Sequence, residues 1–206
     1  YWLSDAHDPD IKLPMVREAS LFFPGLVLGT HVGGAVSHLT GRRSAIETRA
    51  AAAMLGHMGL ELDPTGLSER EAEVLSEAIS IWKANRDWMQ EGHLLALPHR
   101  DPGITALGVF SPDRRRALIV ALQCDTPRDS VPAPLRIAHL TGVVRVKAVC
   151  LAPHLKRFAK AQPDWLETDL RVDAEVLQAV GLQLPILQAG RCIAIDISPT
   201  DPDTKS

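Results

Sequence analysis

Residues 26–32, with the sequence LVLGTHV, form an uninterrupted apolar run that ends at Gly33-Gly34. A run of this kind is typical of a strand that is covered on both faces, as in a parallel sheet. Segments with helical spacing lie on either side of it, at residues 11–23 and at about residues 43–55. Because parallel strands need crossover connections, which are usually helical, this order predicts an α/β architecture.

The same alternation extends from residue 1 to about residue 92. Residues 1–4 and 56–60 are two further short strand candidates, and the clearest helix runs from Ser68 to about Gln90. Ser68 and Glu71 have the spacing of a capping box. In the first helix, Ile11, Met15, Ala19 and Phe22/Phe23 are expected to lie along one stripe. In the long helix, Leu75, Ala78, Ile79, Trp82 and Arg86 recur at helical spacing.

The pattern changes after Gly92, which ends the long helix. Residues 93–198 contain short strand candidates separated by Pro, Gly and Asp, with a turn at residues 111–114, and this spacing is typical of an antiparallel sandwich. The strands are expected at residues 93–98, 104–111, 116–123, 143–151 and 191–198, with short helices at 154–162 and 173–180. The predicted fold class is therefore α/β followed by all-β, with a loose polar tail at residues 199–206.

Composition excludes several classes of protein. The net charge is −3 over 206 residues, so no nucleic-acid partner is expected, and no stretch approaches the roughly 18 apolar residues of a membrane span. Cys124, Cys150 and Cys192 lack metal-site spacing and are interpreted as reduced, small apolar residues within strands. We therefore expect no metal and no cofactor, and a cytoplasmic location.

Polar groups that could carry chemistry are concentrated in the loop after the first strand, which contains Asp5, His7, Asp8 and Asp10. In a parallel α/β fold the carboxyl ends of the strands face the active site, where a carboxylate can act as a general acid. Acidic residues at a helix N-terminus also complement the helix dipole, so spacing alone leaves both interpretations open. The histidines at positions 31, 38 and 57 suggest no catalytic triad.

Five segments of the chain resemble, in the same order, motifs of glycoside hydrolase family 36, the microbial α-galactosidases. They are residues 2–9 (WLSDAHDP, against W-[TC]-S-D-[ND]-T-D-P), 20–33 (SLFFPGLVLGTHVG, against T-S-x-x-F-P-P-E-x-M-G-A-H-V-[GS]), 38–42 (HLTGR, against the end of N-H-Q-T-G-R), 55–63 (LGHMGLELD, against F-G-H-M-G-V-E-L-D) and 181–188 (GLQLPILQ, against the closing strand region).

This resemblance implies a specific fold and mechanism. Residues 1–92 would be the C-terminal part of a (β/α)8 TIM barrel, and residues 93–198 a C-terminal antiparallel β-sandwich domain. The enzyme would be retaining, with Asp5 as the acid/base and a nucleophile in a K-W-D segment. The chain contains no K-W-D. We therefore expect the nucleophile upstream and expect these 206 residues to be inactive alone.

The sequence departs from the family pattern at three places. Ala6-His7 replaces the Asn/Asp-Thr pair, Gly25-Leu26 stands in place of the Glu of P-P-E, and Ser37 replaces an Asn. Asp5 is retained, so the proton donor that the resemblance implies is present.

The expected substrate is an α-galactoside oligosaccharide such as melibiose or raffinose, with Asp8 as a further substrate-binding residue, in a bacterial homo-oligomeric enzyme. Two alternatives remain open. One is an α-N-acetylgalactosaminidase on the same scaffold. The other is a non-catalytic sugar-binding or structural module, which the aromatic content of only 4% disfavours because such surfaces stack aromatic rings on sugars.

Overall fold

The computed structural model describes residues 1–149 and 162–200, and shows a mixed α/β protein with an antiparallel sheet. The first half contains α1 (Pro9–Ala19), β1 (Gly29–Val32), α2 (Ile46–Ala53), β2 (His57–Leu60) and α3 (Glu69–Glu91). The second half contains β3 (His93–Leu97), β4 (Ile104–Phe110), β5 (Ala117–Gln123), β6 (Val143–Val149), β7 (Leu170–Asp173), α4 (Ala174–Ala179) and β8 (Arg191–Pro199).

Three chain segments run in parallel in the first half. β1 and β2 pair in parallel with Gly29 opposite His57 and His31 opposite Gly59. Trp2 forms an isolated parallel bridge to Gly29 on the other side of β1. The carboxyl ends of all three segments therefore lie at the same edge, which brings together the loops that follow Trp2, Val32 and Leu60.

The long helix α3 begins where the capping box predicts. The Ser68 side chain accepts a hydrogen bond from the Glu71 backbone N–H at 3.3 Å, and the Ser68 N–H donates to Glu71 Oε2 at 3.1 Å. Two N–H groups that the first turn leaves without helical partners are thereby satisfied. The helix buries Val74, Leu75, Ala78 and Met89, and its last residue, Glu91, lies two positions before β3 begins.

The second half forms one six-stranded antiparallel sheet in the order β3-β4-β5-β8-β6-β7. Every residue of the central strand β5 is buried, because both faces of the sheet are covered. One face packs with α1 and α2 of the first half. The other face packs with residues 135–140, α4 and residues 182–187. In the described part of the second half the strands thus form a single sheet, whereas two facing sheets were expected from the sequence.

The first helix differs from its prediction. It starts at Pro9 and ends at Ala19, because residues 20–23 leave the helix in turns, and the exposed fractions of Phe22 and Phe23 are 81% and 47%. The expected apolar stripe was therefore wrong. The helix instead buries a face one residue away from the predicted one, formed by Pro9, Lys12, Leu13 and Val16.

Other boundaries are close to those expected. The apolar run at residues 26–32 contains a 3-10 turn (Gly25–Val27) before β1, and β7 was not anticipated. Cys124 and Cys192 are free thiols; Cys192 lies in β8, while Cys124 follows β5 directly. Cys150, nearly all of the helix expected at 154–162 and most of the expected tail lie outside the described residues. Among the described helices, none combines the length and apolar character needed to cross a membrane.

Candidate functional site

Asp5 lies in the loop between the Trp2 bridge and α1, at the edge where the parallel segments end. Its side chain is exposed, and its Oδ1 accepts a hydrogen bond of 2.7 Å from the indole Nε1 of Trp2. Nearby, the Ala6 N–H donates to Ser4 Oγ at 3.0 Å and shapes the turn that presents Asp5. The site thus offers a solvent-accessible carboxylate with a fixed donor on one oxygen.

The Trp2 ring is itself fixed from below by a buried histidine. The rings of Trp2 and His31 are stacked, with centroids 4.5 Å apart and planes inclined by 10°. His31 has an exposed fraction of 2%, so it is a rigid support for the half-exposed indole. The position of Asp5 is therefore connected, through one hydrogen bond and one ring stack, to the core of the strand β1.

Asp8 is buried, with an exposed fraction of 1%, and joins two loops. Its carboxylate accepts hydrogen bonds from the hydroxyls of Thr40 and Ser44, and its backbone carbonyl accepts from the N–H groups of Ile11 and Lys12 at the start of α1. Beside it, Asp10 forms an ion pair with Arg42. Two of the predicted acidic candidates therefore connect α1 to the loop at residues 37–44, and their contacts favour a structural role.

The buried cations Lys12 and Arg49 bind backbone carbonyl groups at the same edge of the parallel segments. Lys12 Nζ donates to the His31 carbonyl oxygen at 2.7 Å, and Arg49 Nη1 donates to the Gly33 carbonyl oxygen at 2.5 Å. Burial lowers the pKa of Lys12 to about 8, although the carboxylate of Glu61 opposes this. Sequence analysis missed both residues, since neither lies in a recognisable motif; both satisfy carbonyl groups at the end of β1.

Three side chains from separate segments meet next to Asp5: His7 from the loop before α1, His31 from β1, and Glu61 from the residue that follows β2. His31 Nε2 lies 3.0 Å from Glu61 Oε2, and the His7 and His31 rings are edge to face with centroids 5.9 Å apart. Burial, followed by the charge of Lys12, lowers the pKa of His31 to about 4, so its imidazole is neutral at neutral pH. From the sequence, His7 was a candidate in the loop after the first strand, whereas His31 suggested no catalytic role, and nothing grouped the two. His7, His31 and Glu61 each lie at or near the end of a predicted parallel strand, and this shared position could have placed them together.

Residues 1–92 match the sequence profile of the melibiase family. An α-galactosidase of Escherichia coli is 32% identical over 202 residues, which are 95% of this chain and 28% of that protein. The chain thus spans little more than a quarter of the length of this relative.

Solved structures show the same fold. A family 36 α-galactosidase variant, AgaA of Geobacillus stearothermophilus in complex with stachyose, has a TM-score of 0.79 at 22% identity, covering 96% of this chain and 25% of that one. A second AgaA variant, in complex with raffinose, has a TM-score of 0.77 at 21% identity, covering 94% of this chain and 25% of that one.

Proposed function

Because this chain belongs to the melibiase family of α-galactosidases, glycoside hydrolase family 36, we propose that it supplies the acid/base carboxylate, Asp5, of a retaining α-galactosidase. The observation that carries the proposal is the exposed Asp5 carboxylate at the carboxyl edge of parallel strands, with one oxygen bonded to Trp2. Active sites of (β/α)8 enzymes lie at that edge. The second oxygen of Asp5 has no protein donor among the described contacts and is free to protonate a leaving group.

The proposed reaction needs two carboxyl groups about 5–5.5 Å apart. One attacks the anomeric carbon and forms a glycosyl-enzyme intermediate. Asp5 first donates a proton to the glycosidic oxygen and then removes one from the attacking water. The resemblance places the nucleophile in a K-W-D segment, which the 206 residues do not contain. The activity is therefore proposed for the protein that combines these residues with such a segment.

The domain arrangement belongs to the same proposal. The segment at Trp2, β1 and β2 would be three strands of a (β/α)8 barrel formed by residues 1–92, and their parallel register supports this. Residues 93–198 would form the C-terminal β domain, and their six-stranded antiparallel sheet supports this.

The proposed substrates are α-linked galactosides, and the raffinose and stachyose complexes of the AgaA variants support this class. The substrate contact of Asp8, the homo-oligomeric state and the cytoplasmic location stay predictions.

The test is galactose release from raffinose by the protein expressed from its complete gene, compared with Asp5→Asn. Parallel assays use 4-nitrophenyl α-galactoside and 4-nitrophenyl α-N-acetylgalactosaminide. The proposal expects turnover of both galactosides and loss of raffinose hydrolysis in Asp5→Asn. Preference for the acetamido sugar would support the α-N-acetylgalactosaminidase instead. Sugar binding without any turnover would identify a binding module.

A further inference from the structure

We propose that His7, His31 and Glu61 form a binding site for a divalent transition-metal ion, Zn²⁺ by ligand type, beside Asp5. One nitrogen of each histidine and a carboxylate oxygen of Glu61 all lie within 4.8 Å of one another. The proposal concerns ion binding, so it does not depend on the proposed hydrolase activity.

The separations between the three ligand atoms are close to those of a zinc site, so binding an ion needs only small side-chain movements. Zn²⁺ binds imidazole nitrogen and carboxylate oxygen at about 2.0–2.2 Å, which places neighbouring ligand atoms of a tetrahedron about 3.3–3.6 Å apart. The His31 Nε2 to Glu61 Oε2 distance is 3.0 Å, and one ligand atom from each of the three residues lies within 4.8 Å of the other two. The side chain of Glu61 is 46% exposed, so it can move to accommodate the ion.

The two histidines are held in place by the surrounding backbone. His7 packs on Gly33 and Gly34; a Cβ at Gly33 would lie 2.5 Å from His7 Cδ2, so a larger residue there would displace the His7 ring. His31 is almost completely buried beneath Trp2. His7 Nδ1 is buried and has no hydrogen-bond partner, which is costly for a polar atom unless something binds it.

The ligand chemistry favours zinc over harder ions. Two imidazoles and one carboxylate are the set found in catalytic zinc sites with a fourth position open to water or substrate, whereas calcium and magnesium prefer oxygen ligands. Lys12 is the nearby cation that would oppose a metal ion. Its ammonium donates to the His31 carbonyl oxygen at 2.7 Å, so its hydrogen bond is directed to the backbone.

Of the three proposed ligands, only His7 differs from the family pattern. His31 and Glu61 occupy positions where the family pattern also has His and Glu, in G-A-H-V and G-V-E-L-D. His7 occupies the position of the family's Thr. His7→Thr therefore restores the family residue, removes one ligand and leaves more space beside Gly33, which makes it a mild change for the fold.

The experiment is calorimetric titration of Zn²⁺ into chelator-treated protein expressed from its complete gene. We expect a single Zn²⁺ per chain, and His7→Thr should weaken binding at least about 100-fold, since even residues that only orient ligands change affinity 10–100-fold. Glu61→Gln should also weaken binding, whereas the control His93→Gln, at an exposed histidine of β3, should bind like the wild type.

Titration with Co²⁺, followed by its visible absorption, provides a second readout that reports coordination geometry directly. The His7→Thr protein is first checked for native circular dichroism. Absence of Zn²⁺ binding by the wild type would overturn the proposal. Equal affinity of folded His7→Thr and wild-type protein would overturn it as well, because the ion would then be bound elsewhere.

Discussion

The indole Nε1 of Trp2 donates a hydrogen bond of 2.7 Å to Asp5 Oδ1, while the same ring stacks on His31. The bond restrains a carboxylate that is otherwise exposed on a loop. Trp2 is thus a positioning residue for the proposed acid/base, and the strand β1 determines the position of Trp2 through its bridge to Gly29.

Trp2→Phe should lower kcat/KM for raffinose about tenfold, since a hydrogen bond to a charged group contributes about 1.5–3 kcal/mol and Trp2 is partly exposed to water. Phe retains the stack on His31 but has no donor for Asp5. The loss should appear mainly in kcat, because Asp5 acts on the leaving oxygen. A change confined to KM would show that Trp2 contacts the sugar and does not position Asp5.

Asp8→Ala should lower the free energy of unfolding by about 2 kcal/mol, because it removes a buried side chain and the two hydrogen bonds that it accepts from the hydroxyls of Thr40 and Ser44. Urea denaturation of Asp8→Ala, Thr40→Val and the double variant measures the coupling between the two side chains. We expect the double variant to be less destabilised than the sum of the two. Unchanged stability of Asp8→Ala with a raised KM would instead assign Asp8 to substrate binding.

Elements whose ends depend on neighbouring residues, such as a helix cap or a tight turn, were predicted from the sequence. The capping box at Ser68 and Glu71 located the start of α3, and the turn at residues 111–114 separated β4 from β5. The expected burial of Phe22 and Phe23 was wrong because the helix ends at Ala19. Helical spacing continues through residues 20–23, so spacing alone does not show that the chain turns away there.

Contacts between distant segments were not predictable in the same way. β8 inserts between β5 and β6, an order that depends on packing and not on sequence distance. Likewise, His7, His31 and Glu61 are separated by 24 and 30 positions and meet only because their strands are parallel neighbours. The role of Asp5 was suggested by the resemblance, since spacing alone also allowed an ordinary helix N-terminus.

Gly92→Ala should destabilise the junction between α3 and β3 by about 1–3 kcal/mol. A Cβ at Gly92 would lie 2.6 Å from the Phe110 carbonyl oxygen, which belongs to β4 and cannot move without breaking the sheet. Gly66→Ala is the matched control, because no atom lies within 4 Å of its Cβ position. Thermal denaturation compares the two variants; equal midpoints would contradict the close approach at Gly92.

Asp101 and Asp113 should make the second half of the chain sensitive to acid. The Gly103 N–H holds the pKa of Asp101 below its usual range, and the Ser111 hydroxyl does the same for Asp113. Each folded-state pKa is lower than the unfolded value, so the stabilisation is present above the unfolded pKa and disappears as the pH falls through the folded pKa.

Asp101→Asn with Asp113→Asn should therefore lose stability at neutral pH and show a smaller further loss below about pH 4. Urea midpoints measured across that range provide the comparison with the wild type. Parallel pH profiles for the wild type and the double variant would show that these carboxylates do not contribute.

The most direct test of the account is the leaving-group dependence of Asp5→Asn in the protein expressed from its complete gene. Raffinose needs protonation of its leaving oxygen, whereas 4-nitrophenol leaves without it, so the first step should survive much better for the activated galactoside. We predict almost complete loss of raffinose hydrolysis, with a transient burst of 4-nitrophenol that precedes slow turnover. Raffinose hydrolysis at the wild-type rate would contradict the assignment of Asp5 as the acid/base.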